Sequence, residues 1–370
     1  MGSLAGVIIG ILLILAAVIL LWWNEGNAVK TAKGLREGAA AVVSIQPDTV
    51  SPANNHKLVH LTGMATTAEV LRDPLFHISA NAIRLDRNVQ MYQWKEEKES
   101  TTHNKLGGGT ETKTTYKYEK TWSGERIDSS KFKHPEDHEN PDHMLAPSKA
   151  VDAKNVTLGA FALSAKIISQ MTGDEPLELS DADLEKLPSK LRSAAQLSGN
   201  MLYFGKEPES PAVGDQKVDF QILKPAVFSI IGMQTDNTFE PFGTHTGTEI
   251  LLVESGTVSA QGMFQHAESA NVVLTWILRL VGFILMAIGF GLMLGPIGTL
   301  ASVIPLLGDI VGAGTGLASF LLAGIGSVLI IALAWIAYRP LFGVILLLLG
   351  IGGVIFARRL GSRKIAAAQK

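Results

Sequence analysis

Residues 4–23 read LAGVIIGILLILAAVILLWW, twenty consecutive positions without a charged side chain. At a rise of ~1.5 Å per residue, about 20 residues of α-helix cross the ~30 Å hydrocarbon core of a bilayer. A cleaved signal peptide has basic residues before its apolar run, and no basic residue precedes this one. Trp22 and Trp23 lie at the end of the run, where interfacial aromatic anchors are found. We therefore predict a retained transmembrane helix over residues 4–23.

A second apolar block begins at Val272 and predicts three more spans, at 272–294, 310–338 and 341–357. Gly295 and Pro296 interrupt the block, and the uncharged stretch 296–308 is too short to cross a bilayer. We predict an interfacial or re-entrant segment there. Residues 358–370 follow the last span as a basic tail.

The orientation follows from the basic tail. Arginine and lysine next to a span favour the cytoplasmic side, so we place residues 358–370 in the cytoplasm. Four spans then put both termini inside and residues 24–271 outside, in the periplasm or a lumen. Basic residues just after the first span oppose this orientation, but they belong to a long segment of the kind that translocates largely regardless of charge.

The composition supports a membrane protein and excludes several chemistries. The chain is 47% hydrophobic and 18% charged, with a net charge of -2 and a mean hydropathy of +0.24. The long segment before the tail has no basic patch, which argues against nucleic-acid binding. The chain contains no cysteine, so disulfides, thiolate metal sites and thiol nucleophiles are excluded.

The segment 24–271 is predicted to form an α+β domain with a mainly antiparallel sheet. Alternating apolar and polar residues predict strands at 57–61, 89–94, 116–118 and 217–222, and the glycines at 107–109 predict a hairpin tip. Two helices are predicted, at 159–171 and 180–191, the second begun by Ser180 with Asp183 as a capping residue. Residues 133–147 have no periodicity and are predicted to be loop.

The densest group of candidate metal ligands lies in that loop, at His134, His138 and His143. The spacing of His138 and His143 differs from a zinc-protease helix, and Pro141 prevents the helix that would place both on one face. We expect no bound metal and no cofactor. A nucleophile elbow and a phosphate-binding glycine loop are also missing from the sequence, so no catalytic residue is predicted and the chain is not expected to be an enzyme.

The predicted spans contain a few polar and small residues that merit attention. Asp309 is the only charged residue between Leu280 and Tyr338, and it is either a helix cap or a functional intramembrane group. Arg279 lies two turns inside its span and can extend to the headgroups or serve a polar site, while Arg339 lies at a turn. Glycines at four positions are predicted to let helices pack closely: Gly312, Gly314, Gly316 and Gly324. Five aromatic residues are predicted interfacial anchors: Trp22, Trp23, Trp276, Trp335 and Tyr338.

Five short stretches, in order along the chain, together resemble the LUMA family, also called transmembrane protein 43. They are residues 22–29 (WWNEGNAV), 89–94 (VQMYQW), 276–280 (WILRL), 305–309 (PLLGD) and 334–341 (AWIAYRPL). The resemblance implies four spans and one large lumenal or periplasmic domain. It also implies a role in organising membrane protein complexes; eukaryotic members lie in the endoplasmic reticulum and inner nuclear membrane, with lamins and emerin as partners. No catalytic residue is carried over from the family.

The cysteine-free chain, the short basic tail and the glycine-rich spans favour a prokaryotic member, which we expect in a bacterial inner membrane. The leading functional hypothesis is a scaffold that contacts the bilayer, other membrane proteins or a second copy of itself. A channel or transporter for ions or small solutes using Asp309 is the alternative. A membrane-anchored, metal-dependent hydrolase using the three loop histidines is third.

Overall fold

The computed structural model describes residues 4–104, 110–301 and 305–339. The helices within these ranges are α1 (Leu4–Ala41), α2 (Ala165–Ile168), α3 (Asp181–Glu185), α4 (Ser189–Arg192), α5 (Ala260–Ala301) and α6 (Pro305–Tyr338). Three described helices are long and apolar enough to cross a membrane, over residues 5–41, 260–296 and 314–338. The predicted fourth span, 341–357, and the basic tail, 358–370, lie outside the described residues.

The long helices α1 and α5 extend well beyond the spans predicted from hydropathy. α1 has 38 residues and continues past Trp23, while α5 has 42 residues and begins before Val272. At ~1.5 Å per residue, α5 is about 63 Å long, roughly twice the hydrocarbon thickness. α5 also continues through Pro296 to Ala301, so the described residues of the segment 296–308 are helical. The position of that segment relative to the bilayer remains a prediction.

Between α1 and α5 lies a strand-rich domain. Its strands are β1 (Val43–Ser44), β2 (Leu58–Thr66), β3 (Val70–Arg72), β4 (Ser79–Asn81), β5 (Arg84–Asn104), β6 (Thr110–Ser123), β7 (Lys149–Asp152), β8 (Val156–Leu158), β9 (Phe161–Leu163), β10 (Glu175–Pro176), β11 (Ala195–Ser198), β12 (Met201–Phe204), β13 (Gln216–Leu223), β14 (Ala226–Thr235), β15 (Thr238–Glu240), β16 (Phe242–Gly243), β17 (Glu249–Ile250) and β18 (Leu252–Ser255).

These strands form two seven-stranded sheets and two small hairpins. The first sheet has the order β15-β14-β2-β8-β9, with β1 beside β2 and β18 beside β14. The second has the order β11-β12-β13-β5-β6, with β10 beside β13 and β7 beside β5. Every described pairing is antiparallel except that of β1 with β2. The predicted antiparallel, strand-rich domain is therefore confirmed.

The four predicted strands are found as β2, β5, β6 and β13. In β13 the alternate residues Val218, Phe220 and Ile222 are buried, as the period of two requires. Strands β5 and β6 pair from Met91 with Ser123 to Asn104 with Thr110. The hairpin tip predicted at 107–109 lies outside the described residues.

Both helices predicted in this domain are wrong in extent. Gly159 has a φ of +59°, and it starts a two-residue turn that pairs Leu158 with Phe161 as a β-hairpin, so only 165–168 are helical. In the second case Pro188 lacks a backbone N–H and separates α3 from α4. The Asp183 carboxylate does accept hydrogen bonds from the backbone N–H and hydroxyl of Ser180, as the capping prediction required.

One hydrophobic core joins the two large sheets. It contains Val59 and Phe228 from the first sheet and Val89 and Phe220 from the second, all at most 1% exposed. Side chains from both sheets thus share a single interior, which makes the domain a two-layer β structure. Of the predicted helices only short segments form, and α2 contributes the buried residues Ile167 and Ile168 to this core.

A second cluster joins this domain to the long helices. Leu35 of α1 and Phe264 of α5 pack with Leu58, Ile231 and Ile250 of the strands. The turn between β16 and β17 adds polar contacts, because Thr246 and Thr248 donate hydrogen bonds to the Lys30 carbonyl at 3.2 Å each. The domain is consequently attached along the sides of two helices, and not through a flexible linker.

Candidate functional site

The most unusual polar group in the helical part is Glu25, whose side chain is 0% exposed. It lies on α1 two residues after Trp23, within the turn that carries Asn24 and Gly26. A buried carboxylate is costly unless it is paired and hydrogen bonded. Its partners therefore decide what this part of the molecule does.

Arg279 of α5 supplies the opposite charge. Its Nε donates to Oε1 of Glu25 at 2.6 Å and its Nη2 donates to Oε2 at 3.0 Å, a bidentate arrangement. Trp335 of α6 donates its indole N–H to Oε2 at 2.8 Å. The carboxylate thus receives three hydrogen bonds from two other helices, and one ion pair connects all three described candidate spans.

Aromatic rings surround the Arg279 guanidinium. The Cζ atom of Arg279 lies 4.6 Å from the centre of the Trp276 ring and 5.9 Å from the centre of the Trp335 ring. The Arg339 guanidinium lies 5.4 Å from the Trp335 ring. Cations over indole faces gain electrostatic stabilisation, and more so when they are desolvated. Arg279 is only 13% exposed, so its side chain lies inside the helix cluster.

Close contacts between the helices around the ion pair depend on one glycine, Gly26, and on two asparagine side chains, Asn24 and Asn271. A Cβ placed on Gly26 would lie 2.7 Å from Cζ of Tyr338, so no larger residue fits without movement of that ring. Asn24 Nδ2 donates to the carbonyl of Thr275 and Asn271 Nδ2 donates to that of Ala28, each at 3.0 Å. These bonds fix the register of α1 against α5.

The predicted interfacial aromatics gather at this level of the helices. Trp22 and Tyr338 contact each other with ring centres 5.8 Å apart, while Trp276 and Trp335 flank Arg279. Trp23 and Trp276 are among the exposed large apolar residues. The arrangement is that of an aromatic belt around a buried ion pair.

The other residues of interest predicted within the spans are Asp309 and the four glycines. Asp309 and Gly312 lie in α6, but their side-chain surroundings are outside the described part of the chain, so the cap and coupling interpretations stay predictions. A Cβ on Gly314 or Gly316 would meet no described atom within 4 Å, and one on Gly324 would lie 4.0 Å from Phe283. Among the described glycines, close helix contact occurs at Gly10, where a Cβ would lie 2.6 Å from the Gly289 carbonyl oxygen, and the packing role of the four predicted glycines remains a prediction.

Two of the three loop histidines, His134 and His138, contact the Tyr118 ring. The His138 ring stacks on Tyr118 at 3.6 Å, and its Nδ1 lies 2.9 Å from the His134 carbonyl oxygen. Among the described residues, no group of three histidine, aspartate or glutamate side chains is placed to hold a metal ion. The expectation of no bound metal remains a prediction.

Sequence reasoning missed Glu25 as the partner of Arg279. A carboxylate beside two tryptophans is typical of an exposed interfacial residue, and its partner is 254 positions away. The sequence did contain one indication of this pair. Glu25 follows the end of the first span and Arg279 lies near the beginning of the second, and these two ends lie at the same membrane face. Both carboxylate oxygens of Glu25 accept hydrogen bonds from other helices. The site is therefore suited to holding the helices in fixed positions against one another.

Comparison with known proteins shows which sequences this chain is similar to. The family model described as Transmembrane protein 43 matches residues 91–340. The transmembrane protein 43 of Rattus norvegicus is 33% identical over 97% of this chain and 91% of its own length, and that of Homo sapiens is 32% identical over the same shares. The transmembrane protein 43 homolog of Drosophila melanogaster is 30% identical over 95% of this chain and 93% of its own. No solved structure gives a significant match.

Proposed function

The chain belongs to the transmembrane protein 43 family, and from this premise we propose that it is a membrane scaffold and not an enzyme. Its strand-rich domain and its helices bind partner proteins, either other membrane proteins or a second copy of this chain. Both termini lie in the cytoplasm and the domain lies on the opposite side, in a bacterial inner membrane. The chain binds no nucleic acid and uses no cofactor.

The observation that carries the proposal is the rigid attachment of the domain to the helices. α1 and α5 run without interruption from the apolar region into the domain, where Leu35 and Phe264 pack against the strands. The Glu25–Arg279 pair fixes the two helices to each other and, through Trp335, to α6. A scaffold benefits from such a construction because partners on both surfaces are then held in a defined relation.

The small residues of α6 provide a surface for partners within the bilayer. Gly314 and Gly316 have open space around them in the described structure, and small residues on a helix surface allow another helix to approach closely. Leu317 and Leu321 lie nearby and are among the exposed apolar residues. Gly314, Leu317 and Leu321 are spaced three and four positions apart on the helix and therefore share one face, which combines close approach with apolar contact.

The test compares three tagged full-length chains after crosslinking in native membranes. The wild type and a control on α5, Ile288→Leu, are expected to yield the same set of crosslinked membrane proteins or the same crosslinked dimer. Gly314→Leu/Gly316→Leu is expected to reduce that yield at least fivefold, because two bulky side chains prevent close helix contact. Equal yields from all three chains, or none above an untagged sample, would contradict the scaffold proposal.

A flux measurement separates the scaffold from a channel. Reconstituted vesicles containing the wild type are expected to show no more ion or proton flux than empty vesicles. Flux that depends on the protein and disappears in Asp309→Asn would replace the scaffold with a transporter, since asparagine keeps a capping oxygen but loses the charge.

A further inference from the structure

A cleft of about 330 Å³ lies beside the Glu25–Arg279 pair, between α1, α5 and α6. Its wall on α1 includes the small residues Ala28 and Ala32, and its wall on α5 includes Asn271 and Thr275. Small side chains on one helix and polar side chains on the next leave an open groove with a partly polar lining. The charged groups in this lining indicate which ligand can occupy it.

Three guanidinium groups line the cleft, those of Arg36, Arg279 and Arg339. Arg279 is fully engaged with Glu25. Arg36 lies 3.8 Å from Glu268 in a solvent-exposed contact of the kind that contributes little. Arg339 forms no ion pair with any described carboxylate, and its guanidinium lies 5.4 Å from the centre of the Trp335 ring. Glu268 also lines the cleft, so Arg36 and Arg339 face one carboxylate, and these two arginines are the groups available to bind an anion.

The cleft lies at the level of the aromatic belt. Trp276 lines it and is 63% exposed, and Val272 lines it and is 55% exposed. Exposed tryptophan and valine at this height face lipid chains, while the arginines face the zone of lipid phosphates. The lining of the cleft thus combines apolar and cationic side chains, which matches the two parts of a phospholipid.

We propose that this cleft binds one anionic phospholipid, with its phosphate between Arg36 and Arg339 and its acyl chains along Trp276 and Val272. Arginine suits this role because its planar fork donates paired hydrogen bonds to phosphate oxygens. The proposal does not depend on the scaffold function. The Glu25–Arg279 pair does not fill the cleft beside it, and the proposed lipid occupies that cleft.

The experiment measures lipid retained by the detergent-purified full chain with native mass spectrometry. The chain is incubated with equal amounts of dioleoylphosphatidylglycerol and dioleoylphosphatidylcholine. We expect one phosphatidylglycerol per chain in preference to phosphatidylcholine. Each basic group near lipid phosphates contributes about fivefold in binding, so Arg36→Gln/Arg339→Gln is expected to reduce retention by more than tenfold.

The matched control is Lys30→Gln/Lys33→Gln, which removes the same charge from exposed positions on α1 that do not line the cleft. Retention in this control is expected to equal that of the wild type. Equal retention of both lipids by the wild type, or equal loss in both double variants, would overturn the site. Displacement of phosphatidylglycerol by inorganic phosphate alone would assign the cleft to a free anion and overturn the lipid.

A second measurement does not depend on the arginine variants. Phosphatidylglycerol with brominated acyl chains is expected to quench tryptophan fluorescence of the wild type more than that of Trp276→Phe. Brominated phosphatidylcholine is expected to quench the two proteins to a similar degree. An equal response of wild type and Trp276→Phe to the brominated phosphatidylglycerol would place the acyl chains elsewhere and contradict the proposal.

Discussion

Separating the two charges of the buried pair is expected to destabilise the protein more than removing both. Glu25→Leu leaves the guanidinium of Arg279, 13% exposed, without its carboxylate and leaves the Trp335 N–H without its acceptor. Arg279→Met leaves the carboxylate of Glu25, 0% exposed, without its cation. Breaking a buried pair in this way costs about 3 to 5 kcal/mol, so each single variant should lose that amount.

The double variant Glu25→Leu/Arg279→Met is expected to be more stable than either single variant. Replacing both members of a buried pair with apolar residues of similar size is often close to neutral, because the desolvation cost of both charges disappears. We expect a net loss below about 2 kcal/mol, most of it from the unpaired Trp335 N–H. Two single losses of about 3 to 5 kcal/mol each, against a joint loss below about 2 kcal/mol, give an interaction energy above about 4 kcal/mol from the cycle.

The assay is equilibrium unfolding of the full chain in detergent, followed by far-UV circular dichroism. The matched control is the exposed pair of Lys117 and Glu99, 3.2 Å apart, where replacement of either or both with glutamine should change stability by less than about 1 kcal/mol. Strict additivity at Glu25 and Arg279, with the double variant losing the sum of the two single losses, would refute the reasoning.

Three further predictions concern a close contact, pH and topology. Gly26→Ala is expected to cost about 1 to 3 kcal/mol in the same assay, because its Cβ would lie 2.7 Å from Tyr338, and Tyr338→Leu should recover part of that loss; an unchanged melt would contradict the contact. Hydrogen bonds from the backbone N–H groups of Lys154 and Asn155 lower the pKa of Glu69 from its ordinary 4.5, so its stabilising effect is complete above that value and lost as pH falls through the lowered pKa. The stability difference between wild type and Glu69→Gln should thus shrink on acidification from pH ~5 to pH ~3, and a difference that stays constant would exclude this role. In the cysteine-free chain, single cysteines in place of Ser100 and Ser210 should react with an impermeant thiol reagent on intact cells and one in place of Ser362 should not; labelling at Ser362 would reverse the orientation.

Hydropathy and alternation predicted the parts of the fold that depend on local pattern. The three described candidate spans and the four predicted strands are present because each carries a continuous or alternating apolar signal. The failures occurred where tertiary pairing decided the outcome. Phe161–Leu163 has apolar residues compatible with a helix, but pairing with β8 makes it a strand. Helix ends were also missed, because Leu35 and Phe264 are held in helices by contacts with distant strands.

The candidate site was predictable only in part. Arg279 and the aromatic anchors stand out in the sequence because charges within spans are rare and tryptophans favour interfaces. Glu25 does not stand out, since a carboxylate at the end of a span is ordinary. Its burial depends on where α6 crosses, and the Trp335 N–H that completes its hydrogen bonds is 310 residues away. That crossing is determined by packing, which a single sequence does not record.

The unbroken length of α5 has a mechanical consequence. If the span 272–294 lies in hydrocarbon, residues 260–271 of this helix stand outside it as an arm of about 18 Å that carries the domain. A helix that tilts by about 10° when the bilayer becomes thinner moves a point about 18 Å along its axis sideways by roughly 3 Å. Membrane thickness is thereby converted into displacement of a surface well above the lipid, and the buried ion pair determines that all three helices move together.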